Sequence, residues 1–246
     1  MAYLYLTMER FNSGNASATR ILSFCEILQG LEKEVILISL DEVQNDEIHV
    51  YKGINYISIR SVSDAFIAKV FNFLFHRSRL KKCIAKLSES YTIEGLFFYD
   101  IPAPSIFYLK KYARNKKIKV FHDSVEWYSP NQFKWGKLAL PFIMKNVLNK
   151  YLIDKQVAVF SVSKYLNNYF QSKGICSTRI PVVLDTVNIS FENKTSQDKL
   201  TLLYAGSPGK KDYLKEIIEG LGRLQKEELE KVELQLFGVN KAQLIN

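Results

Sequence analysis

A short polar cluster near the middle of the chain carries titratable groups suited to catalysis. His122, Asp123 and Glu126 fall within five residues, and Trp127 and Tyr128 follow them. The apolar run before His122 predicts a strand, and ligands of open α/β sheets bind beyond the carboxyl ends of strands. These side chains could orient a sugar and exchange protons with it. A polar loop that caps the next element is the alternative, and composition alone favours that alternative.

A glycine turn late in the chain carries a second group of candidate residues. Leu200–Ala205 is a short apolar run that predicts a strand, and apolar residues three and four apart over 214–221 predict a helix. Between them lie Gly206, Ser207, Lys210 and Lys211. Glycines allow close backbone approach, a helix start offers unpaired N–H donors, and lysines add positive charge. The pattern favours a phosphate-bearing ligand, although an ordinary strand exit with solvated lysines stays open, since neither GxxxxGKS nor GxGxxG is present.

Strand and helix patterns alternate along the rest of the chain. Several strands are near-continuous apolar runs, which are typical of a parallel sheet buried on both faces. Strands are predicted at Ala2–Met8, Glu34–Leu40, Ile54–Ile59, Glu94–Asp100, 116–121, Val157–Val162, Thr178–Leu184 and Val232–Phe237. Helices are predicted from Ala18 to near Gly30 and at 64–90, 105–114, 135–153 and 164–173, the last with Ser163 as its N-cap. This alternation predicts the α/β class.

Composition and charge exclude several classes of protein. The chain has 246 residues, of which 47% are hydrophobic, so it can fill the core of one large or two small domains. Its three cysteines lie far apart without CxxC spacing, which argues against a zinc site or a disulfide framework and suits a reducing cytoplasm. Neither a signal peptide nor an apolar stretch of about 18 to 20 residues is recognisable. The net charge of +9 favours a polyanionic partner, which could be nucleic acid, an anionic membrane or a phosphorylated substrate.

A long basic amphipathic helix is predicted over residues 64–90. Its apolar positions at helical spacing are Phe66, Val70, Phe73, Leu80, Ile84 and Leu87, and its basic residues are Lys69, Arg77, Arg79, Lys81, Lys82 and Lys86. Such a helix can lie on an anionic membrane surface. A helix packed on the core with a solvated basic face is the open alternative.

Four stretches resemble family-4-type glycosyltransferases of the GT-B fold. They are the opening strand, glycine loop and helix, VFHDSVEWYSP, VFSVSKYLNNYFQSKG with PVVLD after it, and YAGSPGKKDYL. The resemblance implies a Rossmann-like, parallel-sheet N-terminal domain over 1–185, a linker over 186–199, and the first βαβ unit of a second Rossmann-like domain over 200–246. The family's E-x7-E motif belongs further on, and the spacing of Glu219 and Glu227 matches it by chance. We therefore expect a chain truncated within its C-terminal domain.

The resemblance implies roles for three groups of residues. His122 is expected to face the transferred sugar, with Asp123 and Glu126 behind it. The donor diphosphate is expected at Gly206, Ser207, Lys210 and Lys211, although the family commonly has an arginine shortly after the glycine. The cleft loop is expected at Ser13, Gly14 and Asn15.

The resemblance also implies a function. We expect a retaining, hexosyltransferase-type enzyme that moves a sugar from a UDP- or GDP-linked donor to a saccharide or lipid-linked acceptor in cell-surface polysaccharide synthesis. No metal, no other cofactor and no nucleic acid are expected, and the location is expected to be cytoplasmic, with attachment to the inner face of the cell membrane left open. A sugar-nucleotide epimerase of the same fold and a non-catalytic sugar- or partner-binding module are the alternatives.

The basic turn generates the first testable prediction. Lys211→Ala in the intact enzyme should lower donor turnover, because the lysine would stabilise the negative charge that grows on the leaving diphosphate. Steady-state kinetics with varied donor would measure the loss, and unchanged kinetics would contradict the assignment.

Overall fold

The computed structural model describes residues 1–11, 15–41, 47–59, 66–183, 199–206, 208 and 212–239. The strands in these ranges are β1 Ala2–Thr7, β2 Glu34–Ser39, β3 His49–Tyr51, β4 Ile54–Ser58, β5 Ile93–Tyr99, β6 Lys119–Ser124, β7 Val157–Ser161, β8 Ser177–Arg179, β9 Leu200–Ala205 and β10 Val232–Phe237. The α-helices are α1 Ala16–Gly30, α2 Phe66–Ser90, α3 Ala103–Lys116, α4 Leu140–Val147, α5 Lys164–Ser172, α6 Leu214–Leu221 and α7 Lys226–Leu229.

Eight strands form one sheet in the order β3-β4-β2-β1-β5-β6-β7-β8. Every neighbouring pair is parallel except β3 with β4, which form an antiparallel edge. The direction of strand addition reverses between β1 and β5, which is the topological switch point of the sheet. A separate two-stranded sheet pairs β9 with β10 in parallel, and α6 lies between them in sequence. The α/β class with a mostly parallel sheet is confirmed, whereas the domain boundary at 186–199 stays a prediction because residues 184–198 lie outside the described ranges.

Side chains of the large sheet alternate between two hydrophobic cores. Leu4 and Leu6 of β1 join α2, α3 and α5 in one core, whereas Tyr5 joins α1 in the other. This alternation follows from the two-residue period of a strand. It explains why the strands read as continuous apolar runs, since both faces of each central strand are covered by helices.

A ladder of aromatic rings fixes the sheet face that α1 covers. Tyr5 stacks on Phe97 at a centroid distance of 5.9 Å, Phe97 stacks on Phe121 at 4.5 Å, and Phe121 stacks on Phe160 at 5.6 Å. These rings come from β1, β5, β6 and β7, which are consecutive in the sheet. Cross-strand aromatic pairs of this kind favour one register over its neighbours.

The long helix predicted over 135–153 is wrong. The segment instead forms a 3₁₀ turn at Gly136–Leu138, helix α4, and a π-helical turn at Leu148–Leu152. Gly136 has a φ of 53°, which no α-helix tolerates, and Pro141 can occupy only the first turn of a helix because it lacks an N–H donor. The predicted N-cap at Ser163 is confirmed, since its hydroxyl accepts a hydrogen bond from Leu166 N at 3.2 Å.

Among the described residues, the structure buries only the C-terminal half of the apolar face predicted for residues 64–90, and Val70 of that face is 41% exposed. Leu80, Ile84 and Leu87 lie in the core under α2 and are no more than 3% exposed. This half of the face therefore packs on the core, whereas contact of the helix with a membrane stays a prediction.

Close packing around Gly95 generates the second prediction. Gly95 lies opposite Tyr3 in the β1–β5 register, and a Cβ atom there would lie 2.6 Å from Tyr3 Cε1. Gly95→Ala should cost about 1–3 kcal/mol of unfolding free energy, because a packed sheet cannot absorb the overlap without strain. Urea denaturation would measure the loss.

A double variant and a control substitution sharpen this test. The cost of Gly95→Ala should largely disappear in a Tyr3→Ala background, where the clashing ring is absent. Gly30→Ala, with nothing within 4 Å of the added Cβ atom, should cost nothing and can even stabilise α1. An equal loss with and without the Tyr3 ring would contradict the packing argument.

Candidate functional site

Four charged side chains meet beyond the carboxyl ends of the central strands. Glu9 follows β1, Asp100 follows β5, Glu126 follows β6, and Lys145 lies on α4. We call these four residues the edge cluster. Lys145 Nζ lies 3.4 Å from Asp100 Oδ1, and the charges of Asp100, Glu126 and Lys145 all act on Glu9. The cluster thus occupies the switch-point end of the sheet, where ligands of α/β folds bind.

Local backbone geometry positions the members of the edge cluster. The backbone N–H of Glu9 donates to the hydroxyl of Thr7 at 2.9 Å, which turns the chain as it leaves β1. Asp100 has a φ of 48°, a left-handed conformation that aspartate tolerates better than most residues. Lys145 is only 4% exposed and lies 5.6 Å from the centre of the Tyr99 ring. The Lys145 ammonium group is therefore held beside Asp100 with little exposure to solvent.

Burial and like charge perturb the acids of the site. The pKa of Glu9 is raised by burial first and by the nearby Asp100 and Glu126 carboxylates, while a hydrogen bond from Asn15 and the charge of Lys145 oppose the shift. The pKa of Tyr128 is raised by burial and by its hydrogen bond with Glu126. A half-buried carboxyl with a raised pKa holds a proton closer to neutral pH, which is the property of a general base or acid.

An apolar cavity of about 420 Å³ adjoins the edge cluster. Asp100, Lys145 and Tyr128 supply its polar lining. Its apolar lining comes from Met8, Phe73 of α2, the start of α3, and α4, including Ile106, Ile143, Met144 and Val147. The volume lies within the range of sites that hold small ligands, and the combination of an apolar wall with a few charged groups is typical of such sites.

His122 lies in the core below this edge. Its Nδ1 atom is 3.3 Å from the carbonyl oxygen of Phe98, whose ring stacks on the imidazole at 4.7 Å. Burial, and then the charge of Lys145, lower its pKa to about 3, so the ring is neutral at pH 7. Its Nε2 atom is buried without a hydrogen-bond partner among the described residues. The catalytic role of His122 stays a prediction.

Asp123 points to the opposite face of the sheet and forms a buried ion pair. Arg20 of α1 donates to its carboxylate from Nε at 2.9 Å and from Nη2 at 2.8 Å, and the Tyr5 hydroxyl donates at 3.1 Å. Arg20 also donates to the carbonyl oxygens of Pro181 and Ile180, at 2.8 and 3.2 Å. Burial raises the pKa of Asp123 more than these partners lower it. The proposed proton-transfer role of Asp123 stays a prediction, since these contacts give the residue a structural task.

Two further buried polar side chains were not identified from the sequence. The Ser124 hydroxyl and both polar side-chain atoms of Asn149 are buried without a hydrogen-bond partner in the described part of the chain. Ser124 shares a sheet face with His122 because the two are two residues apart on β6. Asn149 lies in the π-helical turn, a feature that often marks functional sites. No sequence signal distinguishes Asn149 from other asparagines.

Glu9, Asp100 and Lys145 were also missed. Glu9 and Asp100 could have been found, because Glu9 directly follows one predicted strand and Asp100 is the last residue of another. Lys145 carries no such signal, since it is one of several lysines in a run of apolar residues.

Two glycines meet at the carboxyl ends of β9 and β10. Gly206 N donates to Phe237 O at 3.0 Å. Gly238 has a φ of 77°, and a Cβ atom there would lie 2.9 Å from Gly206 O, so only glycine fits. Within the described part of the chain, Tyr213, the N-cap of α6, makes no side-chain capping bond. Gly206 thus lies at the expected strand end, whereas Ser207, Lys210 and Lys211 lie outside the described residues.

The cleft-loop assignment is described only at its last residue. Asn15 caps α1, its side-chain oxygen accepting from Ala18 N at 2.7 Å, and it also hydrogen-bonds to Glu9. It therefore connects α1 to the edge cluster. Ser13 and Gly14 lie outside the described residues, and all three assignments stay predictions.

Over the described ranges, no group of three or more His, Cys, Asp or Glu side chains is arranged to hold a metal ion. Among the helices of those ranges, none combines the length and the apolar character needed to cross a bilayer.

Comparison with known proteins identifies the fold. No protein-family model matches the sequence, and no curated protein matches it significantly. Solved structures similar to 95–99% of this chain include a ugt transferase from Siraitia grosvenorii in complex with UDP (TM-score 0.51, 12% identity) and WaaG, a glycosyltransferase involved in lipopolysaccharide biosynthesis (0.54, 8%). An O. sativa protein in complex with UDP is similar over 98% of this chain, with a TM-score of 0.56 and 11% sequence identity. The chain spans 66%, 62% and 72% of their lengths. This likeness shows the GT-B fold.

The Arg20–Asp123 pair generates the third prediction. Arg20→Met should cost about 3–5 kcal/mol of unfolding free energy, because it leaves a carboxylate buried without its counter-charge. Removing both charges with Arg20→Met and Asp123→Leu should cost less than Arg20→Met alone. Chemical denaturation of the single and double variants would measure both values.

A matched substitution controls for the loss of arginine as such. Arg114 is exposed on α3, where it hydrogen-bonds to Gln156. Arg114→Met should change stability by no more than about 0.5 kcal/mol. A similar small change for Arg20→Met would contradict the structural role of the buried pair.

Proposed function

We propose that this protein is a retaining, hexosyltransferase-type glycosyltransferase that uses a nucleotide-sugar as co-substrate. The observation that carries the proposal is a GT-B fold over nearly the whole chain, combined with a charged cluster at the switch point of its sheet. Two of the similar structures were solved with UDP, which makes a UDP-sugar the first donor to test and a GDP-sugar the second. No resident metal or other cofactor is part of the proposal.

The edge cluster would bind the acceptor and deprotonate its hydroxyl group. Glu9 is the carboxyl whose raised pKa suits it to accept the proton that the hydroxyl loses as the new glycosidic bond forms. Asp100 and Glu126 would hold neighbouring hydroxyls, and Lys145 would keep Asp100 in place. His122, neutral and buried, would support the floor of the site, and Asp123 would fix the sheet to α1.

The donor diphosphate would bind at the turn after β9. Gly206 and Gly238 have no side chains, so the backbone there can approach a diphosphate closely. The N-terminal N–H groups of α6, which Tyr213 does not cap, would also donate to it. Ser207, Lys210 and Lys211 would complete the contacts. As the sugar leaves, the growing negative charge on the diphosphate would be stabilised by the lysines and the helix start.

The acceptor would be a saccharide or a lipid-linked saccharide in cell-surface polysaccharide synthesis, met at the inner face of the cell membrane. The apolar cavity beside Asp100 and Lys145 supports an acceptor with an apolar portion. WaaG, a similar structure, is described as acting in lipopolysaccharide biosynthesis.

Nucleotide binding and transfer can be tested on the same protein. UDP or GDP should raise the melting temperature, because a ligand that binds only the folded state stabilises it by mass action, whereas an oligonucleotide should not. Glu9→Gln should leave this shift intact but lower transfer from the UDP-sugar by about a hundredfold, since it removes the proton acceptor. Thermal melting and product analysis measure the two effects.

A glutamate outside the site serves as the control for the loss of one negative charge. Glu34 is exposed at the start of β2, at the opposite edge of the sheet, and Glu34→Gln should leave transfer unchanged. Equal transfer by Glu9→Gln and the unmodified protein would remove Glu9 from the mechanism. Stabilisation by the oligonucleotide alone would overturn the transferase proposal itself.

A further inference from the structure

An uncovered apolar surface lies on the side of the fold that carries α2. On α2, Phe71 and Phe75 are each 48% exposed and stack on each other at 5.6 Å, and Leu74 between them is 65% exposed. Between β6 and α4, Trp135 is 73% exposed and Leu138 is 78% exposed. We call these five residues the α2–α4 surface. Such large side chains are costly to leave in water, so clusters of them usually mark an interaction site.

The two parts of this surface are neighbours. Phe73 of α2 and Ile143, Met144 and Val147 of α4 line one cavity. The helix that carries Phe71, Leu74 and Phe75 therefore borders the same opening as the helix that directly follows Trp135 and Leu138. The surface is separate from the C-terminal half of the apolar face predicted for α2, because Leu80 and Ile84 are buried in the core. It is also on the opposite side of the sheet from α1.

The two chain segments that carry the surface are basic. Residues 66–88 contain six lysines and arginines and no acidic residue, and residues 129–151 contain four lysines and no acidic residue. Of these, Arg77, Lys134, Lys137 and Lys150 are exposed. A chain with 25 acidic residues in 246 leaves two such neighbouring segments free of them, so the partner they fit carries negative charge.

We propose that the α2–α4 surface docks on an anionic lipid bilayer. Trp135, Leu138 and the phenylalanine pair would insert at the boundary of headgroups and acyl chains, while the exposed lysines and Arg77 would contact lipid phosphates. Tryptophan suits this boundary because its ring is amphipathic. A second copy would not account for the basic residues of both segments, since a self-complementary contact would place like charges against each other. The inference deepens the proposed function, on which it rests for its purpose, by naming the surface that would meet a lipid-linked acceptor.

Vesicle cosedimentation tests the docking without any transfer assay. The whole chain should bind vesicles of phosphatidylcholine and phosphatidylglycerol in equal parts, bind phosphatidylcholine alone far more weakly, and lose affinity as salt is raised. Trp135→Ser with Leu138→Ser, and separately Lys134→Glu with Lys137→Glu, should each lower affinity for the mixed vesicles by about tenfold or more. Thermal melting with UDP on the same variants should be unchanged, so that failure of docking and failure of the transferase proposal are distinguished.

Matched controls lie on the α1 side of the sheet. Ile27→Ser with Leu31→Ser removes two exposed apolar side chains, and Lys33→Glu with Lys52→Glu reverses two exposed charges; both should keep full vesicle binding. Absence of binding to the mixed vesicles, or equal losses in the surface and control variants, would overturn the proposal. Sedimentation velocity completes the test: a dimer that Trp135→Ser with Leu138→Ser dissociates, without vesicle binding, would assign the surface to a second copy instead.

Discussion

The ion pair between Arg20 and Asp123 is the interaction on which the arrangement of this fold most depends. It connects α1 to β6, recruits the Tyr5 hydroxyl of β1, and reaches the carbonyls of Ile180 and Pro181 after β8. Breaking a buried pair leaves a charge without its partner, so the geometry is strongly specified once it forms. The position of α1 fixes Asn15, and Asn15 in turn contacts Glu9.

The order of the strands in the sheet brings the residues of the candidate site together. Because β1 and β5 are neighbours at the switch point, Glu9 and Asp100 leave the sheet side by side although they are far apart in sequence. The break between the 3₁₀ turn and α4 then brings Lys145 against Asp100 and opens the apolar cavity beside it. A continuous helix from 135 to 153 would have had neither Gly136 in a left-handed conformation nor a π-helical turn holding Asn149.

Polar groups on adjacent residues of β6 have unlike environments. His122 and Asp123 face opposite cores, so one is a neutral ring beneath the edge cluster and the other is a salt-bridged carboxylate under α1. Sequence analysis treated them as one cluster because they are consecutive. The alternation of strand side chains separates them, and only Glu126, beyond the strand end, joins the charged site.

The sequence alone determined the α/β class, most strands and helices, the Ser163 cap and the parallel βαβ unit around Gly206, because these depend on residue spacing within a dozen positions. Tertiary structure determined the features that residue spacing alone does not predict. It paired Arg20 with Asp123 across 103 residues, chose which face of α2 is buried, and gathered Glu9, Asp100 and Lys145 at one edge. The physical reason is that burial and strand order are properties of the whole packed chain, so the pKa of a carboxyl and the exposure of a helix face follow from neighbours that are remote in sequence.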